Sequence, residues 1–148
     1  DNILYMLPWI KDQVPEIKLF VGYGFSNWMK AAESRNDEYT KSLIERIKTD
    51  LEKCRDYVEF AGLVNLPKLH DMWNRAYTWL YPTNFTETSC LTAMEAMYSG
   101  TPIVCSNLAA LQTTVGKNGK LVNIYPSDSR EARIEYINEV VKLHKDKD

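Results

Sequence analysis

Apolar positions along the chain fall into two alternating spacings, which predict helices and strands in turn. Ile3, Leu4, Leu7 and Ile10 recur at helical spacing within residues 1–14, and Pro15 ends that run. Residues 17–22, Ile-Lys-Leu-Phe-Val-Gly, move from alternation into a continuous apolar run and read as a strand. Residues 25–36 are polar and irregular. Residues 38–55 then place Leu43, Ile44, Ile47 and Leu51 on one face of a charged segment, the pattern of an amphipathic surface helix. Its charges are of mixed sign, which suits a solvated face. A second strand is expected over 57–62, an exit loop over 63–65, and a short helix over 66–75 with Leu66, Leu69 and Trp73 toward the core.

The stretch 79–102 compresses the pattern into one unit of strand, loop, helix and strand. Trp79-Leu80-Tyr81 reads as the end of a buried strand stopped by Pro82. A polar loop follows, and from Thr88 the segment is rich in apolar helix formers: Leu91, Met94, Ala96 and Met97. Gly100 and Pro102 end that helix and lead into a strand at Ile103–Ser106. A short helix over 108–115 and a strand over 119–124 come next. Ser127 or Asp128 is expected to cap a last helix carrying Ile134, Ile137, Val140 and Val141, and the tail from His144 should fray. Alternation of this kind predicts an α/β chain with a parallel, doubly wound sheet. Ligands of such folds bind outside the carboxyl ends of the strands. Gly22–Gly24, Leu63-Val64 and the loop carrying Glu87 all fall at strand exits. The glycine turn ending at Gly24 could let a backbone approach a phosphate, and it also reads as a plain turn after a strand. It lacks a full G-x-G-x-x-G, which weighs against a dinucleotide-dependent oxidoreductase.

Two carboxylates are the candidate chemistry. Glu87 stands just before the central helix and Glu95 stands eight positions later, within it, a separation of about 12 Å along the axis at the α-helical rise. The amides of Thr88, Ser89 and Cys90 would be the free donors of that helix's N-terminus, where the dipole favours an anion. Ionised carboxylates only accept hydrogen bonds, so both suit sugar or ribose hydroxyls. The plainer reading makes Glu87 a dipole partner and Glu95 a solvated helix residue.

Totals narrow the field. The chain has 148 residues, 45% hydrophobic and 26% charged, with a formal net charge of −2. That is the size and composition of one soluble domain, and the charge gives no case for nucleic acid. No apolar run approaches the roughly 20 residues of a membrane span. Cys54, Cys90 and Cys105 are odd in number and lack metal-ligand spacing, and they read as reduced cytoplasmic thiols. Asn84-Phe85-Thr86 is a glycosylation sequon in a loop expected to face ligand, which also favours a compartment without N-glycosylation. His70 and His144 make no zinc site, and no metal is expected.

Glu87-x7-Glu95, followed by Ala96-Met97-x-x-Gly100-Thr101-Pro102-Ile103-Val104, resembles the E-x7-E motif of retaining GT-B glycosyltransferases of the family 4 type, the glycosyl transferases group 1. The resemblance extends upstream through Val58–Val64 and the helix 66–76, and downstream through Ser106–Leu111 and Asn118–Val122. It implies a Rossmann-like domain spanning residues 1–148, the C-terminal, nucleotide-sugar-binding domain of a GT-B enzyme. In the full-length enzyme this domain would serve metal-independent transfer of a hexosyl group from a nucleotide-diphosphate sugar, with retention. The implied roles are Glu87 on the donor sugar hydroxyls, Glu95 on the ribose, Ser89 to Leu91 amides on the phosphates, and Leu63 and Val64 beside the base. The implied co-substrate is the nucleotide-sugar, with no other cofactor. A glycan, lipid or protein acceptor would be met through an N-terminal domain, with room for peripheral membrane association of the full-length enzyme.

The family pattern also includes features with no match here. A preceding strand and a basic Arg/Lys pair have no counterpart, so the chain is expected to be a fragment lacking its first strand and inactive alone. Thr88-Ser89-Cys90 stands where the family often has Gly-Phe-Gly, and Gln112 where it often has Glu. These departures leave as an alternative a non-catalytic Rossmann-like nucleotide-binding or interaction domain.

Overall fold

The computed structural model describes residues 2–22, 30–32, 34, 37–125 and 129–146. The chain is α/β, and among the described residues every strand pairing is parallel. Hydrogen bonds gather the strands into two sheets, one of two strands and one of three. Residues 3–65 and 66–148 form separate compact units with one sheet each.

In the first unit, α1 (Asn2–Gln13) buries Leu4, Met6, Leu7 and Ile10, so Met6 joins the face its spacing predicts. Strands β1 (Leu19–Gly22) and β2 (Val58–Gly62) pair from Leu19 opposite Val58, with a register shift at Val21/Gly22. Between them, α2 (Glu38–Cys54) is capped by Asp37, whose carboxylate accepts the Thr40 amide at 2.8 Å and its hydroxyl at 2.7 Å. Such a cap satisfies one of the helix's orphan donors. The helix buries Ile44 and Ile47 as expected, and also Asp50, which pairs with Lys53 at 2.9 Å and so is not a lone buried charge.

The second unit runs α3 (Leu66–Arg75), β3 (Trp79–Tyr81), α4 (Leu91–Tyr98), β4 (Ile103–Ser106), α5 (Leu111–Thr114), a 3-10 turn (Gly116–Asn118), β5 (Lys120–Val122) and α6 (Arg130–Lys145). Its sheet order is β3-β4-β5, with Tyr81 opposite Cys105 and Ser106 opposite Val122. The central strand β4 is buried along its whole length, which is why it is a continuous apolar run and not an alternating one. Ile103 and Cys105 meet Cys90, Ala93, Ala96, Leu111 and Val115 in one cluster, with Trp73, Trp79 and Tyr81 packed against it. Helix α6 packs on β4 and β5, and its fully buried Tyr136 donates to the Val104 carbonyl at 2.7 Å. Consecutive parallel strands joined by helices give the Rossmann-like arrangement the spacing predicts.

Several expected boundaries move. Helix α4 starts at Leu91, not Thr88, because Cys90 is extended (φ −90°, ψ 91°) and its carbonyl takes the first helical bonds, from Ala93 and Met94 at 3.1 and 3.2 Å. It ends as Gly100 predicts: the glycine adopts φ +73°, and the Thr101 amide reaches back to the Ala96 carbonyl at 2.9 Å, a Schellman closure. The helix expected over 108–115 contracts to 111–114, and the strand over 119–124 to 120–122. The cap of α6 is Ser129, whose hydroxyl accepts the Ala132 amide at 3.1 Å; Ser127 and Asp128 lie outside the described residues. Leu66 and Ile134, both expected inward, are 66% and 45% exposed. Leu66 is the first residue of its helix, and Ile134 lies well off the buried line through Ala132, Tyr136 and Val140.

Candidate functional site

The β3–α4 loop is pinned from several sides. Its first turn closes with the Thr83 amide on the Tyr81 carbonyl at 2.9 Å. The fully buried Ser106 hydroxyl, at the end of β4, donates to the Thr83 carbonyl at 2.7 Å. The Phe85 amide donates to Thr83 Oγ1 at 3.0 Å, and the Glu87 amide to the Phe85 carbonyl at 3.1 Å. At the far end, the Ala110 amide donates to the Glu87 carbonyl at 3.2 Å. The residue before it, Ala109, adopts φ +48°, a left-handed conformation that costs a non-glycine residue on the order of 1 kcal/mol. The β4–α5 connection therefore carries local strain beside the bond that holds Glu87.

The Glu87 carboxylate is half-buried and is itself held. The Tyr81 hydroxyl, six residues earlier at the end of β3, donates to its Oε1 at 2.7 Å. The Tyr81 ring stacks on Trp79, with centroids 4.9 Å apart and planes at 20°. Burial, with the bond to Glu87 next in size, pushes the Tyr81 phenol up to about 12. It thus stays a protonated donor at neutral pH. The carboxylate keeps its second oxygen and further lone pairs for another donor.

Helix α4 sets the rest. The carbonyl of Cys90 is taken by Ala93 and Met94, so the amides of Leu91 and Thr92 have no main-chain acceptor within the helix and form its positive end, the Thr92 amide facing the Cys90 sulfur. Thr88 and Ser89 are exposed in the loop before it, and Cys90 is buried. Burial raises the Cys90 thiol, the Ala93 amide opposes this, and the Glu87 charge adds to it. Glu95 is exposed in the middle of α4, flanked by Leu91 one turn before it and Tyr98 one turn after, 69% and 96% exposed. Because residues 88–90 are not helical, the expected axial separation of Glu87 and Glu95 does not hold. The four helical steps from Leu91 to Glu95 account for about 6 Å along the axis, and the residues from Glu87 to Cys90 do not follow the helical rise.

One loop and one helix thus bring together Glu87, Thr88, Ser89, Cys90, Leu91 and Glu95. Leu63 and Val64 follow β2 in the other unit, the first exposed and the second half-buried, and Gly24 lies outside the described residues. Reading the sequence alone missed Tyr81, Ser106 and Ala110 as the groups that fix the Glu87 loop. A broad open depression of about 510 Å³ in the first unit, between Lys48, Arg55 and Phe60, contains none of the predicted site residues. Its cations are paired, Lys48 with Glu45 at 3.1 Å and Arg55 with Glu52 at 2.8 Å. Among the described residues no group of three or more His, Cys, Asp or Glu is placed to hold a metal ion. No described helix is long and apolar enough to cross a membrane.

Over residues 8–143 the chain matches the family described as glycosyl transferases group 1. It is 33% identical over 78 residues to the O-antigen chain mannosyltransferase B of Escherichia coli, a match covering 53% of this chain and 20% of that protein.

Proposed function

The chain belongs to the glycosyl transferases group 1, and from that premise we propose that it is the donor-binding domain of a retaining GT-B enzyme. In this reading a nucleotide-diphosphate sugar lies along the β3–α4 loop. The Leu91 and Thr92 amides, with the loop amides of Ser89 and Cys90 before them, receive the diphosphate at the positive end of α4. As the bond to the anomeric carbon breaks, negative charge grows on the leaving diphosphate, and preorganised amides stabilise it there. Glu87 accepts from hydroxyls of the donor sugar and positions it; it is not the nucleophile. Glu95, exposed on the same helix, accepts from the ribose. Nothing in these steps calls for a metal ion. The acceptor, a glycan, lipid or protein, is supplied through another domain in a soluble, cytoplasm-facing enzyme. The name of the Escherichia coli relative makes mannose the first donor sugar to test.

The observation that supports this reading best is the placement of Glu87. A half-buried glutamate, held through its main-chain carbonyl and through one carboxylate oxygen, stands in the loop four residues before the first helical residue, Leu91. A solvated dipole partner needs no such fixing. Calorimetric titration with UDP, GDP and ADP, and with their sugar conjugates, tests it. One nucleotide is expected to bind, and Glu95→Ala should weaken it by on the order of tenfold, the worth of a hydrogen bond to a charged group. The fold should survive, because Glu95 is exposed. Unchanged nucleotide affinity in that variant removes the ribose role, and binding of no nucleotide favours a non-catalytic module.

A further inference from the structure

We propose that Tyr81 is a positioning residue for donor-sugar recognition, its hydroxyl fixing the Glu87 carboxylate so that the remaining oxygen meets the sugar hydroxyls in one orientation. The inference rests on the reading of Glu87 given above and extends it to a residue that touches no substrate.

Three features of the geometry support it. First, the phenol meets the carboxylate at 2.7 Å, a well-formed hydrogen bond that an ionised acceptor strengthens. Second, the donor is rigid. Tyr81 belongs to β3, is paired opposite Cys105, and stacks on Trp79 while packing against the core cluster. A free glutamate has three rotatable bonds, and a carboxylate tied to such a donor loses most of that freedom before ligand arrives. Third, the main chain of the same residue is tied independently, by the Ala110 amide on the Glu87 carbonyl. With the backbone fixed at one end and Oε1 at the other, the second oxygen has little choice of direction. A phenol held protonated by burial and by this bond donates throughout the physiological range. The bland account, a tyrosine hydroxyl satisfied by the nearest acceptor, would explain the bond as well but predicts only a loss of stability on its removal.

The two accounts separate in Tyr81→Phe, which keeps the ring and its stacking and deletes only the donor. UDP, GDP and ADP and their hexose conjugates are titrated against the wild-type chain, Tyr81→Phe and Glu87→Ala, with thermal midpoints recorded alongside. Positioning predicts that Tyr81→Phe loses on the order of tenfold in affinity for the sugar conjugate while the parent nucleotide binds as before. Glu87→Ala should lose at least as much on the same ligand. A Tyr81→Phe chain that binds conjugate and nucleotide like the wild type, or that loses both equally, overturns the proposal while a sugar-selective loss in Glu87→Ala leaves the role of Glu87 standing. If Glu87→Ala also binds the conjugate unchanged, or if no conjugate binds the wild type, the reading of Glu87 fails and the role of Tyr81 falls with it. A ligand-free check uses ring-labelled tyrosine, with the Tyr81 resonance assigned by its absence in Tyr81→Phe. That phenol should titrate near 12 in the wild type and lower in Glu87→Gln; an identical titration in both means the bond is not formed in solution.

Discussion

Ser106→Ala isolates what the β4 end contributes to the site loop. Ser106 is fully buried, and its hydroxyl donates to the Thr83 carbonyl at 2.7 Å, across 23 residues of sequence. Alanine is nearly isosteric, so no cavity of consequence opens; the loss is one hydrogen bond and its partner's satisfaction. A neutral bond is worth about 0.5–1.5 kcal/mol net, and a carbonyl left without a partner costs about 1–3 kcal/mol. Thr83 is only half-buried, so water can recover part of that cost, and about 1–2 kcal/mol is expected. Urea unfolding followed by tryptophan fluorescence reads it, since Trp73 and Trp79 pack against the core of this unit. With a slope of about 2 kcal/mol/M the midpoint should fall by about 0.5–1 M, with the slope itself unchanged. Because the loop also carries Glu87, affinity for a sugar conjugate should fall in the same variant. Its effect should combine non-additively with Tyr81→Phe, as expected of two ties on one segment. An unchanged midpoint would show that water satisfies Thr83 fully, and strict additivity would show that the two ties act on separate parts of the loop.

The next expectations concern the core behind the loop. At Gly119 an added Cβ would stand 2.7 Å from Val115 Cγ1 and 2.9 Å from Ile103 Cβ. Gly119→Ala should therefore cost about 1–3 kcal/mol by overpacking, read by the same unfolding assay; a neutral variant would mean that the β5 entry shifts freely. Burial pushes the Cys105 thiol from its ordinary 9.0 up to about 12. The folded state thus holds a proton that the unfolded chain releases. The stability so contributed is fully present below pH 9 and is lost as pH rises toward 12. Thermal melts between these limits should fall more steeply for the wild type than for Cys105→Ala, and parallel curves would refute the assignment.

How legible the molecule was depends on how local each cause is. The strand Trp79–Tyr81, the closure at Gly100 and the buried strand Ile103–Ser106 follow from short runs, a glycine that can take φ +73°, and an unbroken apolar tetrad. The start of α4 was misplaced because Thr88 and Ser89 have the composition of a first helical turn, while the extended backbone of Cys90, buried in the core cluster, decides where the helix begins. The amphipathic pattern of α6 promoted Ile134 and passed over Tyr136, because a tyrosine looks like a surface residue until its hydroxyl finds the Val104 carbonyl. The pair of glutamates was visible as a spacing. The tie from Tyr81 was not, since it exists only after the loop turns back on the strand that precedes it.

The two carboxylates differ in kind, and the difference fixes what each can report. Glu95 makes no structural bond through its carboxylate among the described residues and stands exposed on α4, so removing it should alter ligand contacts and little else. Glu87 is tied to Tyr81 through a side-chain oxygen and to Ala110 through its carbonyl. Its replacement by alanine therefore strands a half-buried phenol, and a loss of binding in that variant mixes lost contact with a relaxed loop. Tyr81→Phe divides the mixture, because it leaves the carboxylate in place and removes only its support. A site built on a supported carboxylate beside an unsupported one would spend its rigidity where a sugar must be told from other sugars. The ribose, common to every donor of this class, needs only an acceptor within reach. That asymmetry is the reason the sugar conjugate, and not the bare nucleotide, is the ligand whose affinity should respond to Tyr81.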